Sequence, residues 1–430
     1  MAVVAADGGL LTAFDVRDGR EIWRTDPRHD RGSPISGSPL FAGDKIIVPI
    51  SATDVATAMR PNHECCKTHG ALAAVDAATG KRLWIWHTME DAKPLGRKSS
   101  TGAELYGPSG APIWSSPAAD LRRGVAYAST GENTSPPGTR TSDAIVAVDL
   151  ATGKEKWVFQ ALANDIWHMG CPVGAPRPGQ RVNPTCFFVN EGSVLRDHDF
   201  GAGPVIFRGR GGRDIILAGQ KSGEMYGLNP VNGEVIWKTR VGAGSSLGGI
   251  EWGIAADDRY VYAPNSDIGG LMEIANRRAG RPMLADQWFQ QPRPGVTALA
   301  PLSGRIVWHT PTPQAPCQMY GDRSRDRAQG CFPASSAAPM VIPGALFAGS
   351  TDGWLRAYDA DNGRIIWEFS TTAQRYNTTN GVQGQPGGSI DSMGPTAAMG
   401  MVFVMSGYNG AANVGGNGTN VLLAFSPDGK

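Results

Sequence analysis

Apolar and polar positions alternate along this chain in short runs, and one such run recurs six times. The copies are GLLTAFDVRDGREIW (9–23), GALAAVDAATGKRLW (70–84), DAIVAVDLATGKEKW (143–157), GEMYGLNPVNGEVIW (223–237), GVTALAPLSGRIVW (295–308) and GWLRAYDADNGRIIW (353–367). Each reads as an alternating strand, a tight polar turn, and a second strand carrying a Trp four residues after a Gly. The Trp residues 23, 84, 157, 237, 308 and 367 are spaced by 59 to 80 residues. A seventh copy, NVLLAFSPDGK (420–430), begins the same pattern. Repeats of this length, made of hairpins with little helix, predict an all-β propeller. One four-stranded sheet cannot bury both faces alone, whereas radially packed sheets cover one another. Turns of the type Asp149–Gly153 join the strands, with the Gly supplying a positive φ. The six Trp side chains are read as structural, stacked between blades.

The repeat overrides the two or three domains that 430 residues would otherwise suggest. Residues 1–430 are therefore expected to form a single propeller domain. The 57 Gly and 31 Pro suit many short strands and turns and argue against long helices. A net charge of +1 supplies no basic field for nucleic acid or an anionic membrane. No apolar run approaches the ~18 residues of a membrane span. The opening MAVVAADGG lacks the basic start and apolar core of a secretory signal. It reads as the third strand of a blade already under way.

The six cysteines fall into three pairs. Cys171 and Cys186, and Cys317 and Cys331, are 15 and 14 residues apart within Pro-rich and polar loops. This spacing suits loop-stapling disulfides and lacks the two-residue gaps of zinc sites. Two such disulfides imply an oxidising compartment. Cys65 and Cys66 are adjacent. A disulfide between neighbours closes an eight-membered ring and removes almost no loop entropy, so it is seldom built for stability. A soft-metal pair would find only His63 and His69 nearby in the sequence. The reading that fits best is a rigid, flat, apolar lid over a planar ligand.

The repeats together with the Cys-Cys pair resemble the pyrroloquinoline quinone (PQQ) dependent, or quinoprotein, alcohol dehydrogenases, and within them the polyvinyl alcohol dehydrogenase group. The stretches that carry the likeness are NHECCKTHGALAAVDAATGKRLW, YGPSGAPIWSSPAAD, TSDAIVAVDLATGK, AGQKSGEMYGLNP, LGGIEWGIAADD and NVLLAFSPDGK. The resemblance implies a PQQ-dehydrogenase-type β-propeller, eight-bladed in the family, with PQQ and Ca2+ on its axis. About seven blades are countable here. The family usually carries a haem c domain before the propeller, and no C-x-x-C-H occurs in this chain. The missing first blade and any haem domain are expected upstream. The implied function is periplasmic oxidation of secondary alcohols, polymeric ones among them, to ketones, with cytochrome c as electron acceptor. The competing reading is a non-catalytic propeller acting as a binding or assembly scaffold.

The resemblance also assigns residues. Cys65 and Cys66 match the lid over PQQ and Trp114 the floor beneath it. Lys221, in GQKSG, matches the cation that bonds the reactive quinone oxygens and stabilises charge developing on them. Ser36 and Ser51 match hydroxyl donors to the PQQ carboxylates, and Trp252 an inner-rim position. For calcium, which takes several oxygen ligands, Asp54 matches an acidic ligand. Glu132 and Asn133 compete for the position of the family's Asn. Asp199, in DHDFGAGP, matches the general base, with Asp165, in NDIWHMGC, as the competitor. A scaffold would need none of these residues.

Overall fold

The computed structural model describes residues 2–6, 9–174, 176, 179–284, 289–314, 332–407 and 420–427. Of residues 2–6 only the backbone is described. Strands dominate, and each sequence repeat becomes the last hairpin of an antiparallel sheet. The second sheet is typical: Leu40–Ala42, Lys45–Ile50, Ala71–Asp76 and Arg82–His87, in chain order. The third contains Ala118–Asp120, Val125–Ser129, Ala144–Asp149 and Glu155–Gln160. Three further four-stranded sheets end in Val235–Arg240, Ile306–Pro311 and Ile365–Ser370. The first sheet, Ala2–Ala6, Leu10–Phe14 and Glu21–Thr25, and the last, Thr396–Ala398, Met401–Ser406 and Val421–Phe425, have three strands each. These are the blades of an all-β propeller. The seventh repeat ends its strand at Phe425, as its pattern implies.

Two details differ from expectation. Ala2–Ala6 pairs with Leu10–Phe14, the strand that precedes the Trp strand, so it takes the second position of its blade and not the third. The reason is that Leu10–Phe14 already fills the third position with the repeat's own apolar run. An eleven-residue helix, Ile268–Arg278, interrupts the fifth sheet before Gly295–Leu299. The strand rhythm of the repeats gave no sign of it. Among the described residues no helix is long and apolar enough to cross a membrane.

The contacts divide the chain into two compact units, Met1–Ile206 with Asn229–Glu234, and Phe207–Leu228 with Val235–Lys430. In both, the same device joins successive sheets. In the first unit Trp23 Nε1 donates to Ala77 O (3.1 Å), Trp84 to Leu150 O (3.0 Å) and Trp157 to Pro230 O (3.2 Å). In the second, Trp237 donates to Pro301 O (2.8 Å) and Trp308 to Ala360 O (3.1 Å). Each acceptor lies in the turn of the following repeat. The Gly of that turn lies under the indole. A Cβ added at Gly80 would come within 2.6 Å of the Trp23 ring, and one at Gly153 within 2.8 Å of the Trp84 ring. The turn Gly thus serves its positive φ, 72° at Gly80 and 71° at Gly153, and the close approach together. Across the hairpin, each Trp faces a small residue: Ala13, Ala74, Ala147, Gly227, Ala298 or Ala357. The ladder shifts register just after each of these, which turns the indole toward the next sheet.

Gly19 provides a built-in control, because it has the same conformation (φ 73°) with nothing within 4 Å of its Cβ position. Gly19→Ala should cost only the left-handed conformation, about 1–2 kcal/mol. Gly153→Ala should add the clash with Trp84, about 1–3 kcal/mol more. Chemical denaturation of the two variants measures the difference, and equal losses would contradict the docking role.

Candidate functional site

The segment Tyr106–Trp114, YGPSGAPIW, organises the site in the first unit. Its Pro and Gly residues prevent a regular ladder, so its backbone bonds to two flanks instead. On one side, Tyr106 N–H donates to Cys65 O (2.7 Å), Cys66 N–H to Tyr106 O (3.3 Å) and Gly110 N–H to Thr68 O (2.9 Å). On the other, Ala111 N–H donates to Glu132 O (2.6 Å), and Ser109–Gly110 pairs with Asn133–Ser135. Ile113 N–H donates to Ile50 O (3.2 Å), just before Ser51, and Ser38 N–H to Ser116 Oγ (3.1 Å). The loops of Ser36 and Ser51 therefore flank Trp114. Ser51 is buried, whereas Ser36 is exposed.

Asp199 is held against this segment. Its Oδ2 accepts Trp114 Nε1–H (2.9 Å) and its Oδ1 accepts the backbone N–H of Glu132 (3.0 Å). Phe200 N–H donates to Thr130 O (3.2 Å), fixing the chain just beyond. Gly131 makes the approach possible, since a Cβ there would lie 2.8 Å from Asp199 Oδ2. Asp197, in the left-handed conformation at φ 56°, completes a buried group in which one oxygen each of Glu132, Asp197 and Asp199 lie within 4.8 Å of one another. Sequence reasoning missed Asp197. Its spacing of two residues from Asp199, with a reversed backbone conformation between strands, was the available signal.

The two open choices find different surroundings. Asp165 receives the backbone N–H groups of Arg196 (2.7 Å) and His198 (3.0 Å), so it holds the loop that carries Asp197 and Asp199. Burial pushes its carboxyl up, against those hydrogen bonds. The Asn133 amide is consumed locally, donating to Ser109 O (3.1 Å) and accepting Thr139 N–H (2.8 Å), while Glu132 joins the carboxylate group. His168 is likewise satisfied: Nδ1 accepts Gly170 N–H (3.0 Å), Nε2 lies 3.2 Å from Thr185 O, and burial holds the imidazole down at about 4.

Asp54, expected among the calcium ligands, is instead enclosed by protein donors. Oδ2 accepts Lys67 N–H (2.6 Å), Thr68 N–H (2.6 Å) and Thr68 Oγ1–H (2.8 Å), and Oδ1 meets His63 Nε2 at 2.6 Å. Its lone pairs are thus committed to the turn that follows the cysteines. Cys65 and Cys66 form a disulfide, as do Cys171 and Cys186. Cys317 and Cys331 lie outside the described residues. The Cys65–Cys66 unit is fully buried against Ala58 and Leu105, with Leu95 and Phe187 packed on it. The disulfide thus sits within a small apolar cluster. Lys221 and Trp252 belong to the second unit. Lys221 is buried in the turn after Ile215–Gly219, where its carbonyl accepts Gly249 N–H (2.9 Å). Trp252 lies beside the buried Asp391 carboxyl, whose pKa burial pushes up.

The chemistry of the first-unit site is that of a hard cation beside a flat apolar face. Glu132, Asp197 and Asp199 offer carboxylate oxygens, which suit calcium better than a soft ion. Half-buried Trp114 offers an indole face. These residues fit a planar quinone with its calcium.

Residues 28–176 match the family described as glucose/ethanol/alcohol dehydrogenase, β-propeller domain, and residues 292–429 match the outer membrane protein assembly factor BamB family. The chain is 38% identical to a polyvinylalcohol dehydrogenase of Pseudomonas sp. and 37% identical to one of Sphingopyxis sp. (strain 113P3), in each case over 97% of this chain and 60% of the relative. It thus spans about three fifths of the length of these relatives. Among solved structures, the quinohemoprotein alcohol dehydrogenase of Comamonas testosteroni aligns with a TM-score of 0.55 at 17% identity, covering 94% of this chain and 61% of that one. A europium-containing methanol dehydrogenase aligns with a TM-score of 0.56 at 17% identity, covering 96% and 72%. At these identities the structures share the fold.

The Asp54 network makes a pH prediction. Burial raises its carboxyl, but the hydrogen bonds from His63, Thr68 and Lys67 outweigh this and hold it below the ordinary value. A depressed carboxylate stabilises fully above its unfolded pKa of about 4, and that stability is lost as pH falls through the lower folded value. Asp54→Asn should therefore destabilise by about 1–3 kcal/mol at pH 7. The gap from the parent should shrink below pH 4. A gap independent of pH in denaturation titrations would contradict this.

Proposed function

We propose that the chain is a PQQ-dependent (quinoprotein) alcohol dehydrogenase, as its likeness to two polyvinylalcohol dehydrogenases and to the dehydrogenase propeller family supports, and that its first unit holds a PQQ- and calcium-dependent alcohol-oxidising site with Asp199 as general base. The observation that carries this reading is the clamp on Asp199, Trp114 Nε1–H on one oxygen and Glu132 N–H on the other. When bound, PQQ supplies the hydride acceptor and calcium the Lewis acid, neither of which side chains provide.

The chain's residues do the rest. The clamp fixes both Asp199 oxygens, Trp114 on one and the Glu132 N–H on the other, which orients the carboxyl to take the alcohol proton. The same indole that orients the base presents its face to the planar cofactor, so floor and base are aligned by one residue. Glu132, one of the two residues weighed for that position, and Asp197 supply oxygens to calcium in this reading, and Asp54 and Asn133 serve their local hydrogen bonds. Cys65–Cys66 would supply an apolar wall, tied through Tyr106 to the segment that carries Trp114. Asp165 keeps the base loop in place. The substrates in this reading are secondary alcohols, including polymeric ones, as the names of the two relatives support. Electrons pass to a c-type cytochrome. The Cys171–Cys186 disulfide supports a periplasmic setting, since such bonds persist in oxidising compartments. The match of residues 292–429 to an assembly-factor family favours one other reading, a scaffold without cofactor.

Turnover of secondary alcohols with PQQ, calcium and an artificial electron acceptor separates these. Asp199→Asn should retain PQQ binding and lose roughly 100-fold or more in kcat, the scale of general-base removal. Asp165→Asn should lower stability first, because one of the two backbone N–H groups it accepts would then face an amide NH2. Full turnover in Asp199→Asn with loss confined to Asp165→Asn would transfer the base role. Absence of PQQ binding and turnover in the parent chain would favour the scaffold.

A further inference from the structure

Three histidines that the site above does not use meet in the first unit. His29 lies in the loop after the first sheet, His69 three residues beyond Cys66, and His87 at the end of the strand Arg82–His87. His29 and His69 stack at 4.3 Å between ring centroids, and His87 lies 4.9 Å from the first and 5.2 Å from the second. One ring nitrogen of each lies within 4.8 Å of the others. We propose that His29, His69 and His87 form a binding site for one divalent transition ion of borderline softness, such as zinc.

The hydrogen bonds assign the ligand atoms. His29 Nε2 faces the Asp30 carboxylate at 3.3 Å and the Ser33 hydroxyl at 3.4 Å, so Nε2 carries the proton. Its Nδ1 is then a buried lone pair, and it has no hydrogen-bond partner among the described residues. His69 Nδ1 faces Asp91 at 3.9 Å, which leaves Nε2 inward. That Nε2 lies 2.9 Å from His87 Nδ1, an N···N pair that only one proton can bridge. A carboxylate on the outer nitrogen and a free inner lone pair is the arrangement that orients metal-binding imidazoles. Burial lowers all three imidazoles, His69 to about 4, so they are neutral at pH 7 and able to ligate. Arg82, the cation nearby, is turned to the carbonyls of Pro27 (3.3 Å) and Arg28 (3.0 Å).

Three imidazoles suit zinc, copper or nickel and not calcium, which takes oxygens. A cavity of about 770 Å3 reaches the cluster at His87, with Asp91, Arg140 and Thr141 also in its lining, and an ion held by three imidazoles would keep a fourth position for water. The ion would tie the His29 loop and the His87 strand to the His69–Gly110 bridge, and so to the segment that carries Trp114. The site is thus distinct in ligands and in metal class from the carboxylate group at Glu132.

The test is metal titration of the chelator-stripped full chain with zinc by calorimetry and with cobalt by absorption. We expect one equivalent to bind, visible cobalt bands of nitrogen-rich four- or five-coordination, and a raised thermal midpoint. His29→Gln and His87→Gln, both at partly buried positions, should each weaken zinc by about 10-fold or more, and the double variant should abolish the cobalt bands. Glu132→Gln should leave zinc binding unchanged, which separates this site from the proposed calcium site. If the histidine variants do not fold, the cobalt spectrum of the parent chain decides. No saturable binding at micromolar ion, oxygen-only bands, or unchanged affinity in the double variant overturns the proposal.

Discussion

The contact between an indole and the turn glycine of the next repeat is the constraint on which the rest depends. Sheets in a propeller have no covalent link beyond single loops, so something must set the angle and spacing between them. Here a large apolar ring, backed by a small residue across its own hairpin, slides over a glycine that has no Cβ to resist it. The indole N–H then caps a turn carbonyl that would otherwise lose its partner on burial. Burial of a Trp is worth about 3–5 kcal/mol when the ring is deleted, and the device recurs within each unit. Shape, conformation and hydrogen bonding at one turn therefore fix the placement of the neighbouring sheet.

Fixed sheets allow the irregular chain above them to carry function. Tyr106–Trp114 has too many Pro and Gly for one continuous strand, yet it is bonded on both flanks and at Ile50. That makes it a rigid connector between the disulfide turn, the Trp114 indole and Glu132. Asp199 arrives from a loop that is itself held by a second buried carboxylate, Asp165. One aspartate acts as scaffold and the other is presented, and the difference lies in what donates to each. Asp165 accepts backbone N–H groups of the loop that carries Asp199, whereas Asp199 accepts a side chain and a backbone group of the site it faces.

Much of the fold was legible because its determinants are local. Hairpin alternation, the Gly–Trp spacing and the Cys171–Cys186 spacing are readable within a few residues. The small residue opposite each Trp was also visible, as the Ala of LTAF, LAAV and IVAV, but its meaning needs the register shift that only the paired strands show. The site was less legible. Asp54 has the sequence context of a ligand, and only the fold-back of Lys67 and Thr68 reveals that its lone pairs are taken. Glu132 and Asn133 are neighbours on a strand entry and so point apart, one to the carboxylate group and one to Thr139. The apolar cluster around Cys65–Cys66 draws on Ala58, Leu105 and Phe187, which no spacing rule connects. The histidine cluster joins three segments distant in sequence, and the helix Ile268–Arg278 carries no repeat signature.

The central claim is that the first unit pairs a calcium-binding carboxylate group with the Trp114 face to hold a planar quinone. Equilibrium titration of the full chain with PQQ, followed by tryptophan fluorescence with and without calcium, tests it most directly. The account predicts saturation at one equivalent, a requirement for calcium, and loss of the quenching signal in Trp114→Phe at unchanged fold. Binding that ignores calcium, or a chain that takes up no PQQ while its circular dichroism is that of the folded propeller, would contradict it.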